Sequence, residues 1–181
     1  MSEYIQLIVG LGNPGKEYAA TRHNVGTWWL HKLCEKYPAN FQLQSKLNAS
    51  VANINIDNIK VRCAISTTYI NDSGLALANL CNYYQIAAAN VLIIHDELAF
   101  AAGELRLKFG GGHNGHNGLR SIASHLGSEF YRLRIGIGHP GHKDLVSDYV
   151  LSAPGKDDFE KINTGIENNL KGLSSILNKV I

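Results

Sequence analysis

Short apolar runs that stop at a glycine or a polar residue, separated by stretches of helical periodicity, constrain this chain more than any other feature. Tyr4 to Gly10 (YIQLIVG) is β-branched and ends in glycine, as a buried strand entering a loop should. Val91 to His95 (VLIIH) reads as a central strand and Tyr131 to Ile137 as another. Leu47 to Ile56 and Ile59 to Ile65 are β-rich runs joined by Asp57-Asn58, a tight hairpin turn, and their partly polar alternation predicts outer strands. Glu104 to Phe109 alternates like a half-exposed strand that ends in the glycines Gly110 to Gly112. Helical segments fall between them: Thr21 to Lys36 with Val25, Trp28, Trp29, Leu33 and Cys34 at helical spacing, a helix capped by Ser73 and running through Tyr84, and Gly118 to Leu126. A terminal helix over Asp157 to Lys179 carries Phe159, Ile162, Ile166, Leu170 and Leu173 on one stripe. This order predicts an α/β fold, a twisted mixed β-sheet flanked by helices.

A chain of 181 residues with 45% hydrophobic content buries roughly 70% of its unfolded surface as one body. With no repeat, low-complexity tract or Pro/Ser-rich linker, a single globular domain over residues 1–181 is expected. Met1 to Gln6 carries no basic leader, and the apolar run Leu7 to Val9 is too short to be a signal or membrane segment. A cytoplasmic protein with no membrane association is therefore expected. The cysteines Cys34, Cys63 and Cys81 are widely spaced among apolar neighbours and read as small buried hydrophobes in a reducing compartment.

The net charge is only +2, but it is unevenly spread. Glu104 to Lys143 holds six lysines and arginines against two acids, a surplus of +4 that leaves −2 for the rest. The same window holds His113, His116, His125, His139 and His142. It is either a face that favours anions or a solvated basic surface.

Glycine patterns of the G-x-G-x-x-G kind occur at Gly10, Gly12 and Gly15, and again from Gly110 and from Gly136. Three matches in one chain carry little weight, and Pro14-Gly15 disfavours a helix opening on the second glycine, where a pyrophosphate needs its N-terminus. No nicotinamide cofactor is expected. His113-x-x-His116 could supply two metal ligands, but no Cys or acidic partner stands near it at zinc spacing, so polar loop histidines and no metal are expected. There is no G-x-S-x-G elbow, which leaves water as the nucleophile of any hydrolysis.

Activating water near neutral pH takes a base of suitable pKa, and His23 stands at the start of the first helix, beyond the first strand and its loop. Asp96, at the carboxyl tip of VLIIH, stands where the ligand crevice of an open α/β sheet lies, and can orient that imidazole. Asn13, Asn71 and Asn117 fall in turns or caps, where they serve either local backbone bonding or, if they converge, an ester as neutral carboxamides.

With these residues in view, the chain from about Leu7 to Leu151 resembles bacterial peptidyl-tRNA hydrolases of the single-domain, metal-independent type. The resemblance is carried by Gly10 to Gly15 (GLGNPG), Tyr18, Thr21 to Asn24 (TRHN) with Gly26, and Asn71 to Gly74 (NDSG). It continues through His95 to Leu98 (HDEL), Gly110 to His113 (GGGH), Gly115 to Leu119 (GHNGL) and Arg132 to Gly138 (RLRIGIG).

The resemblance implies a metal-independent esterase without cofactor that cleaves peptidyl-tRNA and acts as a monomer. It implies His23 as general base, Asp96 as its partner and Asn13 as the contact that tells blocked peptidyl groups from free aminoacyl groups. Asn71 and Asn117 would position the 3′ end and the attacking water, Tyr18 and Tyr69 would touch the substrate, and Lys108 and Arg134 would clamp a tRNA phosphate. The chain departs from the usual pattern at Ser66, Ile70 and Asn114, and at Ala99 to Ala102 (AFAA), which replaces an acidic, proline-containing turn. A relative of the same fold that binds RNA without hydrolysing it is the principal rival reading.

Overall fold

The computed structural model describes residues 4–179. Seven strands form one mixed sheet in the order β2-β3-β4-β1-β5-β7-β6. Here β1 is Leu7–Gly10, β2 Gln42–Gln44, β3 Ala49–Ile56, β4 Ile59–Ser66, β5 Val91–Glu97, β6 Leu105–Phe109 and β7 Tyr131–Gly136. The neighbours β4-β1-β5-β7 run parallel, while β2, β3 and β6 are antiparallel additions. Parallel strands are covered on both faces, and β1 and β5 are accordingly buried at every residue.

Two apolar layers cover the sheet. Helix α1 (Val25–Lys36) packs Val25, Trp29, Leu30 and Leu33 on one face, with Ile162, Ile166 and Leu170 of α5 (Lys156–Lys171) and Leu173, Ile176 and Leu177 of α6 (Leu173–Leu177). Helices α2 (Ser73–Tyr84) and α3 (Asn117–Leu126) cover the other with Leu77, Leu80, Cys81, Leu119 and Ile122. Strand β5 feeds both, Leu92 and Ile94 into the first layer, Val91 and Ile93 into the second, each contributing roughly 1.5–3 kcal/mol of burial. Because β1 leads to α1 on one face and β4 leads to α2 on the other, the connections part at the carboxyl ends of the central strands. A crevice opens there.

Several expectations need correction. The first strand is shorter, from Leu7 to Gly10. The β3–β4 hairpin turns at Asp57 and Asn58, both at positive φ (48° and 68°), but β4 pairs with β1 and is an interior strand; the short β2, not foreseen, lies outside them. The terminal helix is two helices broken at Gly172, and Phe159 is 45% exposed, its ring against Trp28 rather than in the core. Helix α4 (Val146–Val150) was also not foreseen. Cys63 and Cys81 are buried, Cys34 half-buried, and all three are free.

The glycines after β1 serve helix packing. A side chain at Gly26 would meet the Ile94 carbonyl oxygen at 2.2 Å and Leu11 N at 2.7 Å, and one at Gly10 would meet the Gly26 oxygen at 2.5 Å. Helix α1 thus lies directly on the backbone of β1 and β5. Gly26→Ala is expected to lower stability by about 1–3 kcal/mol through overpacking against unyielding backbone. A urea midpoint equal to that of the wild type would refute this packing role.

Candidate active site

The loop after β1 runs from Leu11 to Thr21 before a 3₁₀ turn, Arg22–Asn24, delivers His23 into the crevice. The first helical turn therefore begins well beyond Gly12, unlike a dinucleotide-binding loop. Arg22 anchors this turn: its guanidinium donates to Ser152 Oγ at 2.7 Å and to the carbonyls of Tyr149, Ser152 and Ala153 at 3.1–3.2 Å, in the last turn of α4 and just past it. A cation is well placed on the carbonyl end of a helix.

At the tip of β5, Asp96 is buried, its side chain 3% exposed, and it joins two histidines. His23 Nδ1 lies 2.9 Å from Asp96 Oδ1 and 3.0 Å from Oδ2, and His116 Nε2 lies 2.9 Å from Oδ1. His116 Nδ1 faces the Leu119 N–H at 3.3 Å and accepts from it, as the cap of α3. That contact keeps the His116 proton on Nε2, so both rings donate to the carboxylate. The ligand atoms of His23, Asp96 and His116 all lie within 4.8 Å of one another. An Nε2 that carries a proton offers no lone pair to an ion, and the cluster reads as a hydrogen-bond system.

Electrostatics follow from this contact. Burial alone would raise the Asp96 carboxyl, but its interactions with His116 and His23 outweigh it and hold it well below the usual range. For His23, burial pulls down, and the Asp96 charge and hydrogen bond together leave the imidazole above its ordinary 6.5. His95, buried beneath, is pushed down to about 3, chiefly by burial and then by His116, and stays neutral while its Nδ1–H donates to the Asp96 carbonyl at 2.7 Å.

Asn13 is held on both sides. Asn24 Oδ1 accepts from Asn13 N at 2.9 Å and Asn24 Nδ2 donates to Asn13 O at 3.0 Å, while Asn13 Oδ1 accepts from Ile70 N at 2.8 Å. The Asn13 oxygen is thereby used, and the amide nitrogen is the group left for a ligand. A cavity of about 710 Å³ is lined by Asn13, Tyr18, His23, Tyr69, Asn71, Asp96, His116 and Asn117, among others. Among the described residues the Asn71 and Asn117 side chains make no hydrogen bond within the protein. Tyr18 and Tyr69 meet edge to face, ring centroids 6.0 Å apart.

Seven of the residues singled out in the sequence thus meet in one cavity. Lys108 and Arg134 do not line it; they stand on β6 and β7. The register Lys108↔Arg132 and Arg106↔Arg134 puts all four cations on one face. Arg132 is buried and donates to the carbonyls of Gly110 and Gly112, anchoring the glycine loop that leads to His116 and Asn117. His116 and Asn24 were missed as site residues. Nothing local marks them, although each stands inside a motif already noted.

The departures are accommodated. Ser66 accepts from Thr68 N at 3.1 Å, which makes a tight turn without proline, and Ile70 forms part of the cavity wall. Asn114 takes the positive φ of 47° that asparagine tolerates.

A base with one ring nitrogen unengaged, a buried carboxylate that orients it and carboxamides on the same cavity define a site for base-assisted addition of water, the chemistry of a hydrolase. A family model described as peptidyl-tRNA hydrolase matches residues 7–181. A peptidyl-tRNA hydrolase of Francisella tularensis subsp. novicida is 51% identical over 96% of this chain and 92% of its own length. That of Ruthia magnifica is 47% identical with the same coverage. The crystal structure of peptidyl-tRNA hydrolase from Acinetobacter baumannii superposes with a TM-score of 0.93 at 45% identity, covering 97% of this chain and 89% of that one. The chain belongs to the peptidyl-tRNA hydrolase family.

Proposed function

We propose that this chain hydrolyses the ester between the peptide and the 3′ ribose of tRNA in peptidyl-tRNA, releasing the peptide and a tRNA free for reuse. The observation that carries the mechanism is the pair of contacts from His23 Nδ1 to Asp96, which leaves His23 Nε2 unengaged in a residue lining the cavity. Nε2 takes a proton from water as it adds to the ester carbonyl, Asp96 holds the tautomer and stabilises the imidazolium that forms, and the imidazolium returns the proton to the ribose 3′ oxygen as the acyl C–O bond breaks. Asn13 Nδ2 donates to the acyl group, Asn71 and Asn117 position the 3′ end and the water, and Tyr18 and Tyr69 bear on the substrate at the mouth. Lys108 and Arg134 hold a phosphate of the tRNA, a contact that contributes affinity without reading sequence.

An activated ester yields to this machinery without a metal or cofactor, since His23 supplies the base and the carboxamides supply the dipoles. No described helix is long and apolar enough to cross a membrane. We take the protein to be one domain over residues 1–181, a monomer acting in the cytoplasm.

The test is release of the acyl group from N-acetylaminoacyl-tRNA beside unblocked aminoacyl-tRNA, both in EDTA. Cleavage of the blocked ester alone is expected. Binding of tRNA with cleavage of neither would overturn the reading in favour of an RNA-binding protein.

A further inference from the structure

The turn Ala99 to Ala102, one of the departures from the family pattern, places the Phe100 ring against the basic face. The guanidinium of Arg134 lies over the Phe100 ring at 4.7 Å from its centroid, and that of Arg106 at 4.6 Å. Arg106 and Arg134 are direct cross-strand partners, a placement in which like charges repel. A ring whose faces are electron-rich offsets that repulsion. Arg106 is also neutralised by Glu104, whose Oε1 accepts from its Nε at 2.6 Å. Among the described residues Arg134 has no carboxylate partner, and its buried Nε has no hydrogen-bond acceptor.

Phe100 is itself held firmly. Gly138 N donates to the Phe100 carbonyl at 2.9 Å, Gly103 N to Gly136 O at 3.1 Å and Gly136 N to Glu104 O at 2.7 Å, so the turn is bonded along the end of β7. Gly136 has no room for a side chain, since a Cβ there would meet the Ala101 oxygen at 2.1 Å and Phe100 Cβ at 2.8 Å. A guanidinium stacks through its flat face, whereas its N–H donors point outward in its plane. A ring on the face therefore restrains Arg134 without occupying the donors at its edge.

We propose that Phe100 is a positioning residue for tRNA binding, bracing the Arg134 guanidinium, beside Arg106, in the orientation that meets a substrate phosphate. The inference rests on the reading of Arg134 as a phosphate contact given above. A free arginine surrenders rotamer entropy when it is ordered. The brace removes part of that penalty before the tRNA arrives.

Steady-state kinetics on N-acetylaminoacyl-tRNA and on an N-acetylaminoacyl ester of adenosine would test it in the wild type, Phe100→Ala, Phe100→Trp, Arg134→Ala and the double Ala variant. Phe100→Ala is expected to raise KM for the full tRNA about three- to tenfold, the weight of one partly desolvated cation–π contact. Its kcat is expected to hold, and the adenosine ester to be cleaved as by the wild type. Phe100→Trp restores KM, and the double variant is no worse than Arg134→Ala alone. Additive losses, equal losses on both substrates or an unchanged KM in Phe100→Ala with a raised one in Arg134→Ala would overturn the inference while leaving the phosphate contact standing. An unchanged tRNA KM in Arg134→Ala would bring down both.

Discussion

His23→Ala is expected to slow release of the acyl group from N-acetylaminoacyl-tRNA by about 10²–10⁴-fold in kcat, the usual weight of a general base, with KM little changed. Neither neighbouring histidine of the cluster stands ready to replace it. His116 directs its protonated Nε2 at Asp96 and its Nδ1 at Leu119 N, and His95 is buried with Nδ1 on the Asp96 carbonyl. The His23 side chain is 12% exposed and among the described residues hydrogen-bonds only to Asp96, so its removal leaves a buried carboxylate with one partner fewer. A stability loss of roughly 1–3 kcal/mol is expected from that change. The urea midpoint separates this from the catalytic effect, and added imidazole should restore part of the rate by entering the vacated space. A variant that turns over as fast as the wild type would remove His23 from the mechanism.

Asp96→Asn is expected to cost a comparable factor, about 10²–10⁴ in kcat, by enforcing the wrong tautomer rather than by removing the base. Asp96 Oδ1 accepts from both His23 and His116, and Oδ2 accepts from His23. In asparagine one of those oxygens becomes an NH₂ donor. Placed at Oδ2 it faces His23 Nδ1 and drives the proton to Nε2, and placed at Oδ1 it faces a ring N–H of each histidine. The first orientation removes the free lone pair of His23, and the second leaves the His116 Nε2–H without its acceptor at Oδ1.

The pH profile gives an independent check. Asp96 holds His23 above its ordinary 6.5, so the acidic limb of the wild-type rate should lie above 6.5 and move down in Asp96→Asn. Stability runs the other way. With the folded pKa raised, the His23–Asp96 contribution is fully present below 6.5 and fades as pH rises through the folded value, the same interval in which the base becomes active. A limb unmoved by the substitution would show that the contact does not set the base.

Much of the architecture was legible because neighbours along the chain decide it. The apolar runs that open β1 and β5, the 3.6-residue spacing of Val25, Trp29 and Leu33, and the Asp57-Asn58 turn each appear close to their expected places. Errors arose where packing overrode the local pattern. The alternation of β4 suggested an outer strand, yet β1 pairs with it, and the long terminal stripe breaks at Gly172.

The motifs named His23, Asp96 and Asn13 as candidates, and the sequence by itself determined six of the seven described strands, most helices and the kinds of side chain at the crevice. Only the tertiary structure decided which of them meet. His23 and Asp96 are 73 positions apart and Asp96 and His116 are 20 apart, brought within 2.9 Å because β1 and β5 are neighbours whose ends release loops into one crevice. His116 rather than His113 shares the carboxylate, and Phe100 reaches Arg134, for the same reason. Periodicity records which face of an element is buried, but the convergence of side chains depends on strand order and on where each loop returns, and neither is written in local sequence.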